Sequence, residues 1–172
     1  MNTNREKAVL RPGAQADLPR LVTIYNHYVV NTHVTFDVDR FTVESRSRWF
    51  EAFAETGPYR LLVAEIAGHV VGYASSSQFK PKPAYSTSVE TSIYLDPQDR
   101  GRGIGQQLYG GLIDLLQQES SVHRAYGGVA LPNPESVALH ERLGFRRVAT
   151  YHEVGFKLGR YWDVSWYEKD VA

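Results

Sequence analysis

The sequence predicts a single domain of the α+β class, an α/β sandwich in which one mixed, mostly antiparallel sheet is flanked by helices. Three observations predict it. Segments typical of strands alternate with segments of helical periodicity in the order β-α-α-β-β-β-α-β-α-β-β. A chain of 172 residues can bury a substantial core as one domain. No repeat, low-complexity segment or linker divides the chain, so we expect one domain over residues 1–172 with its core over about residues 9–168.

The first half of the chain is predicted to contain a short strand, two helices and a hairpin. Residues 9–11 form the strand, which ends at Pro12-Gly13. Asp17 begins a helix, because apolar residues recur after it every three or four positions: Leu18, Leu21, Ile24, Tyr25 and Tyr28. The stretch 31–39 fits no element. Thr42 is the expected N-cap of a second helix, which carries Val43, Trp49, Phe50 and Phe53. Strands over 61–66 and 70–79 flank the turn Ala67-Gly68-His69.

The second half is predicted to alternate strands and helices. Prolines in Lys80-Pro81-Lys82-Pro83 end the preceding strand, and another strand follows over 88–95. The next helix has an apolar face made of Ile104, Leu108, Leu112, Leu115 and Leu116. A buried strand over 125–131 leads to a short helix, which Asn133 caps and Gly144 ends. Strands over 145–151 and 164–168, joined by a glycine-containing loop, complete the sheet.

Composition excludes several functional classes. The 19 basic and 19 acidic side chains cancel, whereas nucleic-acid and anionic-membrane binders usually carry a basic excess. No apolar run is long enough to span a bilayer, and residues 1–7 lack the apolar core of a signal peptide. We therefore expect a cytoplasmic protein that binds neither nucleic acid nor a membrane. The chain has no cysteine and its histidines show no metal-ligand spacing, so neither a cysteinyl intermediate nor a metal is expected.

A glycine-rich turn, Arg100-Gly101-Arg102-Gly103-Ile104-Gly105, stands between a predicted strand and a predicted helix. Glycines let the backbone approach a ligand closely, and the unpaired N–H groups of a helix N-terminus attract phosphate. The turn lacks the Gly-Lys-Ser/Thr of a Walker loop, because Gln106 and Gln107 follow Gly105. It also lacks the third glycine of a dinucleotide fingerprint, and kinase glycine loops lie in hairpins rather than before helices. The sequence therefore predicts a phosphate-bearing ligand of another class.

Two motifs resemble those of the GNAT N-acetyltransferases. Arg100-x-x-Gly103-x-Gly105 resembles the Q/R-x-x-G-x-G/A signature of that superfamily. Asn133-x-x-Ser136-x-x-x-His140-x-x-x-Gly144-Phe145 resembles its N-x-x-(small)-x-x-x-Y-x-x-x-G-F pattern. The resemblance implies an acetyl-CoA site, with the pyrophosphate on backbone amides of the turn and the pantetheine along the main chain of the preceding strand. The implied binding residues are Ile93, Tyr94, Leu95, Arg100, Gly101, Arg102, Gly103, Ile104, Gly105, Gln106, Asn133 and Ser136.

Further segments resemble the phosphinothricin acetyltransferases, whose relatives acetylate methionine sulfoximine. The segments are Asn26-His27-Tyr28, Thr35-Phe36, residues 79–85, Val89-Glu90-x-Ser92-Ile93-Tyr94 and Gly155-Phe156-Lys157-x-Gly159-x-x-x-Asp163-Val164. The similarity extends over residues 10–167. It implies an enzyme that acetylates the α-amino group of a small acidic amino-acid analogue such as L-phosphinothricin or L-methionine sulfoximine. It also implies a homodimer, which is common among these relatives.

Four side chains form the predicted acceptor site. Lys80 and Lys82 stand two residues apart beside prolines that stiffen the loop, so both ammonium groups can face one cleft. Two cations there would attract a carboxylate and a phosphinate. Tyr85 can add a hydroxyl donor, and Phe36 an apolar wall for the methylene stem. These residues make chemical sense of the substrate that the resemblance implies, a small acidic amino-acid analogue.

Glu90 and His140 are the predicted catalytic residues. The resemblance places Glu90 at the position of the general base, and a partly buried carboxylate there can take a proton from the substrate ammonium, directly or through water. His140 stands where most GNAT enzymes have tyrosine and the phosphinothricin enzymes have histidine. It can protonate the departing thiolate or assist Glu90. We expect direct transfer in a ternary complex, with a backbone N–H near Leu95 stabilising the oxyanion.

Other readings remain open. The acceptor can be a different amine, such as a polyamine, an antibiotic or a protein N-terminus. Polyamine sites need clustered acids, whereas the loop at Lys80 is basic. A non-catalytic acetyl-CoA-binding module would keep the glycine turn and could lose Glu90, but this chain has both. A nucleotide-binding regulator is disfavoured because the Walker lysine is missing.

Overall fold

The structure, a computed structural model, describes residues 7–172, and its helices and strands follow the predicted order. Three single-turn 3-10 helices, Gln15–Asp17, Pro83–Tyr85 and Pro97–Asp99, stand between them in this range. The strands and α-helices are β1 (Val9–Pro12), α1 (Leu18–Asn31), α2 (Val43–Phe50), β2 (Leu61–Ile66), β3 (His69–Gln78), β4 (Ser88–Leu95), α3 (Ile104–Gln117), β5 (Arg124–Ala130), α4 (Pro134–Arg142), β6 (Arg146–Lys157) and β7 (Arg160–Asp170).

One seven-stranded sheet joins all of these strands in the order β1-β2-β3-β4-β5-β7-β6. Neighbouring strands are antiparallel except β4 and β5, which are parallel and are connected by the crossover helix α3. These two strands pair only where Ser88–Glu90 meets Arg124–Tyr126. Beyond Glu90 they diverge, and a gap opens in the middle of the sheet.

Helices cover both faces of the sheet. Helix α3 buries Leu108, Leu112 and Leu116 against one face, and α1 buries Leu21 and Ile24 against the other. Side chains of β4 alternate between the two faces. Val89, Ile93 and Leu95 pack with the α3 cluster, whereas Tyr94 packs with the α1 cluster. Alternation therefore places Glu90 and Ser92 on the α1 face.

Several predicted caps and turns are confirmed. Thr42 accepts a hydrogen bond from the Ser45 N–H at 3.0 Å, and Asn133 accepts one from the Ser136 N–H at 3.2 Å. Ala67 and Gly68 form the tight β2–β3 turn with φ angles of 49° and 80°. Gly144, with φ of 82°, follows the end of α4 in the left-handed conformation.

The last two strands differ from the prediction. They were expected over 145–151 and 164–168 with a loop between, but β6 reaches Lys157, β7 begins at Arg160, and only Leu158-Gly159 turns the chain. The register shifts between Arg147 and Ala149 and again between Tyr151 and Gly155. Each shift breaks the alternation of apolar and polar residues that identifies a strand in sequence. Phe53 also differs, since it lies beyond the end of α2 and packs on Trp49 from the following turn.

None of the helices within the described range, residues 7–172, combines the length and the apolar composition that crossing a bilayer requires.

Candidate active site

A cavity of about 580 Å³ occupies the gap between the diverging strands β4 and β5. Its walls come from both faces of the sheet. Tyr28, Thr32, Val34, Ser92 and Tyr94 line it on the α1 side. Arg100, Gly101, Gly103, Gly105, Gln106, Asn133, Ser136, Leu139 and His140 line it on the α3 and α4 side. A long, thin ligand can therefore pass through the sheet from one face to the other.

The open edge of β4 presents main-chain groups to this cavity. The Asp96 N–H donates to the Val71 carbonyl of β3 at 2.8 Å, so by strand alternation the main-chain groups of Ile93 and Leu95 face away from β3 and into the gap. The Leu95 carbonyl accepts the Tyr28 hydroxyl at 2.6 Å. Tyr94 does not fit the expectation that its main chain binds the cofactor. Its main-chain groups face β3, and only its side chain borders the cavity.

The glycine-rich turn lies at one end of the cavity. Gly101 and Gly103 have φ angles of 74° and 81°, in the left-handed region, and Gly103 is the N-cap of α3. A Cβ atom at either position would meet no protein atom within 4 Å. Backbone N–H groups at the start of α3 thus border open space, an arrangement suited to an anion.

Neighbouring side chains in the turn do not all reach the cavity. Arg102 pairs with Asp99 at 2.5 Å, and the Ile104 side chain is buried in the core. These two residues can therefore contact a ligand in the cavity only through their backbone groups. The Arg100 guanidinium lies 2.5 Å from Glu135 at the start of α4. This ion pair joins the two walls of the cavity.

His140 is buried, with 3% of its surface exposed. Its Nδ1 lies 2.7 Å from the Ser136 carbonyl, which can only accept, so Nδ1 carries the proton and donates. Nε2 then accepts from the Tyr109 hydroxyl at 3.1 Å, and Tyr109 lies 2.7 Å from the Thr91 hydroxyl. Burial lowers the pKa of His140. The imidazole is therefore neutral near neutral pH, with both nitrogens engaged by the protein.

Two glycines of β5, which are part of neither predicted motif, make room for large side chains. A Cβ at Gly127 would collide with His140, and a Cβ at Gly128 would press on the Trp166 ring. The sequence does contain a signal for this close packing, the pair Gly127-Gly128 inside a strand, since glycine in a strand interior marks close approach of another group.

Glu90 lies on the opposite face of the sheet from His140, so the structure does not bring the two predicted catalytic side chains together on one surface. The carboxyl is half-buried, and burial raises its pKa. Tyr126 of β5 lies in register with Glu90 of β4. The ring of Phe79 stacks on Tyr126 at 4.4 Å and meets Trp166 edge-on at 5.9 Å. This aromatic neighbourhood of Glu90 was not predicted.

The four predicted acceptor residues lie on two separate segments. The Lys80 ammonium lies 5.3 Å from the Phe79 ring centroid and 5.5 Å from that of Tyr85. Lys80 and Tyr85 therefore adjoin the aromatic cluster that contains Phe79. Lys82 is exposed and directly precedes the 3-10 turn that contains Tyr85. Phe36 lies on the loop after α1, where its ring rests against Gly155 of β6.

Among residues 7–172, no three histidine, aspartate or glutamate side chains come together in a way that could hold a metal ion.

Comparison with known proteins agrees with this geometry. Residues 10–166 match the acetyltransferase (GNAT) domain. The chain is 54% identical to the phosphinothricin N-acetyltransferase of Streptomyces coelicolor, over 94% of this chain and 95% of the relative. It is 34% identical to the L-methionine sulfoximine/L-methionine sulfone acetyltransferase of Pseudomonas paraeruginosa, over 95% of each chain.

Solved structures give the same result. A phosphinothricin acetyltransferase of the GNAT superfamily from Sinorhizobium meliloti, crystallised with acetyl-CoA, superposes with a TM-score of 0.90 at 32% identity, over 95% of this chain and 88% of that one. The α+β fold, the glycine turn before α3 and these similarities lead to one conclusion: the chain belongs to the GNAT acetyltransferase family.

Proposed function

We propose that this protein transfers the acetyl group of acetyl-CoA directly to the α-amino group of a small acidic amino-acid analogue, such as L-phosphinothricin or L-methionine sulfoximine. The observation that carries the proposal is the arrangement along β4. One strand offers an open main-chain edge at Ile93 and Leu95 and, on its α1 face, the half-buried carboxyl of Glu90. A cofactor in the gap and an amine beside Glu90 would then meet at the same strand.

The described residues fit acetyl-CoA. The backbone amides from Gly101 to Gln106 are suited to its pyrophosphate, and the open edge at Ile93 and Leu95 can pair with the amides of the pantetheine. Asn133 and Ser136 line the opposite wall. When bound, acetyl-CoA supplies an activated acetyl group as a thioester.

Glu90 is the proposed general base. An amino acid binds as an ammonium ion, and Glu90 takes one proton from it to give the neutral amine that attacks. A raised pKa makes the ionised carboxylate a stronger base than an exposed glutamate. The Leu95 N–H, which faces the gap, is positioned to donate to the carbonyl oxygen as negative charge develops there.

We assign His140 a supporting role in place of the expected acid role. Its two nitrogens hold Ser136 of α4 and Tyr109 of α3, and Tyr109 in turn contacts Thr91 of β4. This chain of hydrogen bonds ties the cavity wall formed by α4 to the catalytic strand.

Acceptor recognition is assigned to Lys80, Lys82, Tyr85 and Phe36. The ammonium groups on the loop after β3 would pair with the carboxylate and the second acidic group of the substrate. The aromatic neighbourhood of Glu90 would cover its methylene stem. A loop that carries two lysines and no acidic residue favours an acidic acceptor over a polyamine.

The proposal is tested by the release of coenzyme A from acetyl-CoA, measured with a thiol reagent, which no cysteine of the chain can disturb. We expect saturable release with L-phosphinothricin or L-methionine sulfoximine. Spermidine and a peptide with a free N-terminus serve as alternative acceptors. Release with one of these alone would contradict the assigned substrate, and binding of acetyl-CoA without release to any acceptor would indicate a non-catalytic module.

Charge removal at Lys80 or Lys82 is expected to raise the acceptor KM. Lys80→Met and Lys82→Met each keep the apolar stem and lose one cation, and we expect an increase of about tenfold to a hundredfold, since a charged hydrogen bond contributes about 1.5–3 kcal/mol. The KM for acetyl-CoA should stay constant. Lys7→Met, which changes an exposed lysine just before β1 at the edge of the sheet, is the matched control. Equal KM values for the acceptor in all three variants would contradict the assignment.

We further propose that the protein is a cytoplasmic homodimer. The strand β6 is an edge of the sheet, and it exposes apolar side chains along its length and around the following turn: Val148, Tyr151, Val154, Phe156, Leu158 and Tyr161. An exposed apolar edge strand is a template for association, and a second copy of the same edge is a self-complementary partner. The protein's proposed substrate acetyl-CoA is an intracellular metabolite, and this supports a cytoplasmic location.

Light scattering should give a mass of twice 19.5 kDa. Val154→Asp places a charge in the apolar edge, where the side chain is 56% exposed, and should give a monomer. Val9→Asp, 62% exposed on β1 at the other edge of the sheet, is the control that should remain dimeric. A wild-type mass of one chain, or a dimer that persists in Val154→Asp, would contradict this interface.

A further inference from the structure

Lys157, at the end of β6, is a buried lysine to which the mechanism gives no role. Only 5% of its surface is exposed, and burial lowers the pKa of its ammonium. Lysine is almost never buried to this extent unless its charged group is paired. Here the ammonium donates to the Thr35 carbonyl at 2.7 Å and reaches the Tyr28 carbonyl near the end of α1 at 3.5 Å.

The Tyr28 carbonyl lies in the last turn of α1, and the Thr35 carbonyl lies in the segment that leaves the helix. A cation is favourable near the C-terminus of a helix, where carbonyl groups lack partners within the helix. The same segment is fixed from the other side by Tyr25, whose hydroxyl lies 2.7 Å from that of Thr35 and donates to Asp37. A main-chain carbonyl of the loop is therefore held by β6 while its side chains are held by α1.

This segment, residues 32–37 or the α1 loop, is a wall of the reaction cavity. Thr32 and Val34 line the cavity together with Ser92 and Tyr94 of β4. Phe36 follows in the loop, and its ring rests on Gly155, two residues before Lys157. One short stretch of β6 thus holds both the loop backbone and the ring of Phe36.

We propose that Lys157 is a positioning residue that fixes the α1 loop as the acceptor-side wall of the cavity and thereby sets the affinity for the amine substrate. The inference rests on the acetyl transfer proposed above. Lys157 does not meet the substrate itself, because its donors are directed at the carbonyls of Tyr28 and Thr35. Without the ammonium, the Thr35 carbonyl would be left unpaired in a buried place, and the loop would move to find another donor.

The test compares Lys157→Met with Lys7→Met in the full chain. Methionine keeps the volume of the stem and removes the charge, and Lys7 is exposed. We expect Lys157→Met to raise the acceptor KM by about tenfold or more, because small displacements of a positioning wall have large kinetic effects. The acetyl-CoA KM should change by less than about twofold, since the glycine turn and the β4 edge do not involve the loop.

A second readout does not need an acceptor. Hydrogen–deuterium exchange of a peptide covering residues 32–41 should become faster in Lys157→Met, while exchange in α3 stays the same. Gly155→Ala, which displaces Phe36 from β6, should raise the acceptor KM in the same selective way. If the wild type acetylates no amino-acid analogue but exchange is still faster in Lys157→Met, the proposed substrate is wrong. The role of Lys157 in fixing the α1 loop is then supported.

Two results would overturn the inference. One is wild-type acceptor KM and wild-type exchange in Lys157→Met. The other is a parallel rise of both KM values with faster exchange across the whole chain, because that pattern would mean a general loss of stability with no selective effect on the acceptor wall.

Discussion

Glu90→Gln is expected to lower kcat/KM for amine acetylation by about 10²–10⁴-fold, the usual contribution of a general base. Glutamine has the size of glutamate and cannot accept the ammonium proton. Because Glu90 is remote from the glycine turn, the affinity for acetyl-CoA should be unchanged. Steady-state kinetics of coenzyme A release, with acetyl-CoA binding measured separately, checks both expectations.

The pH dependence gives the same prediction a second readout. The base must be ionised, so wild-type kcat/KM should fall as the pH falls through the pKa of Glu90, which burial raises above 4.5. This inflection should be missing in Glu90→Gln. If the variant retains wild-type activity, or keeps the same inflection, Glu90 is not the base.

As the pH rises, the contribution of Glu90 to stability should fall while its contribution to activity rises. The pKa of Glu90 is higher in the folded chain than in the unfolded chain, so folding favours the protonated form. The stability that this carboxyl contributes is complete below its unfolded pKa and is lost as the pH rises through the folded value. In mildly alkaline buffer, Glu90→Gln should therefore melt at or above the wild-type temperature. Glu51→Gln, on an exposed carboxyl after α2, should change neither property.

The parts of the site that depend on local chain geometry could be predicted from sequence. The glycines at 101 and 103 require a left-handed backbone, Asn133 caps the helix that follows it, and strand 88–95 has a continuous β-forming composition. Each of these signals is confined to a few neighbouring residues. They were enough to predict the glycine turn at one end of the cavity and the strand that carries Glu90.

Features that depend on contacts between distant segments could not be predicted in this way. His140 looked available for proton transfer because its partner Tyr109 lies on α3 and comes near only when α3 and α4 pack. Lys157 was expected in the loop between the last two strands and was assigned no role, since the carbonyl it meets is 122 residues away. The long β6–β7 hairpin was missed because its bulges interrupt the alternation on which strand prediction relies.

Gly103→Val is expected to raise the KM for acetyl-CoA by about tenfold to a hundredfold, since it disturbs the backbone that would hold the pyrophosphate. Gly103 has φ of 81°, a conformation in which a β-branched residue is strongly disfavoured. The new side chain would also project into the open space where the phosphate groups are expected. The acceptor KM, measured at saturating acetyl-CoA, should change little.

Backbone strain alone can be separated from loss of the binding site by Gly68→Val. Gly68 has φ of 80° in the β2–β3 turn, and a Cβ there also meets open space, but no cavity residue lies in that turn. Both variants should lose a similar amount of stability, about 1–3 kcal/mol, and only Gly103→Val should lose cofactor affinity. An equal loss of affinity in both would mean that strain spreads through the fold, whereas wild-type affinity in Gly103→Val would move the pyrophosphate away from this turn.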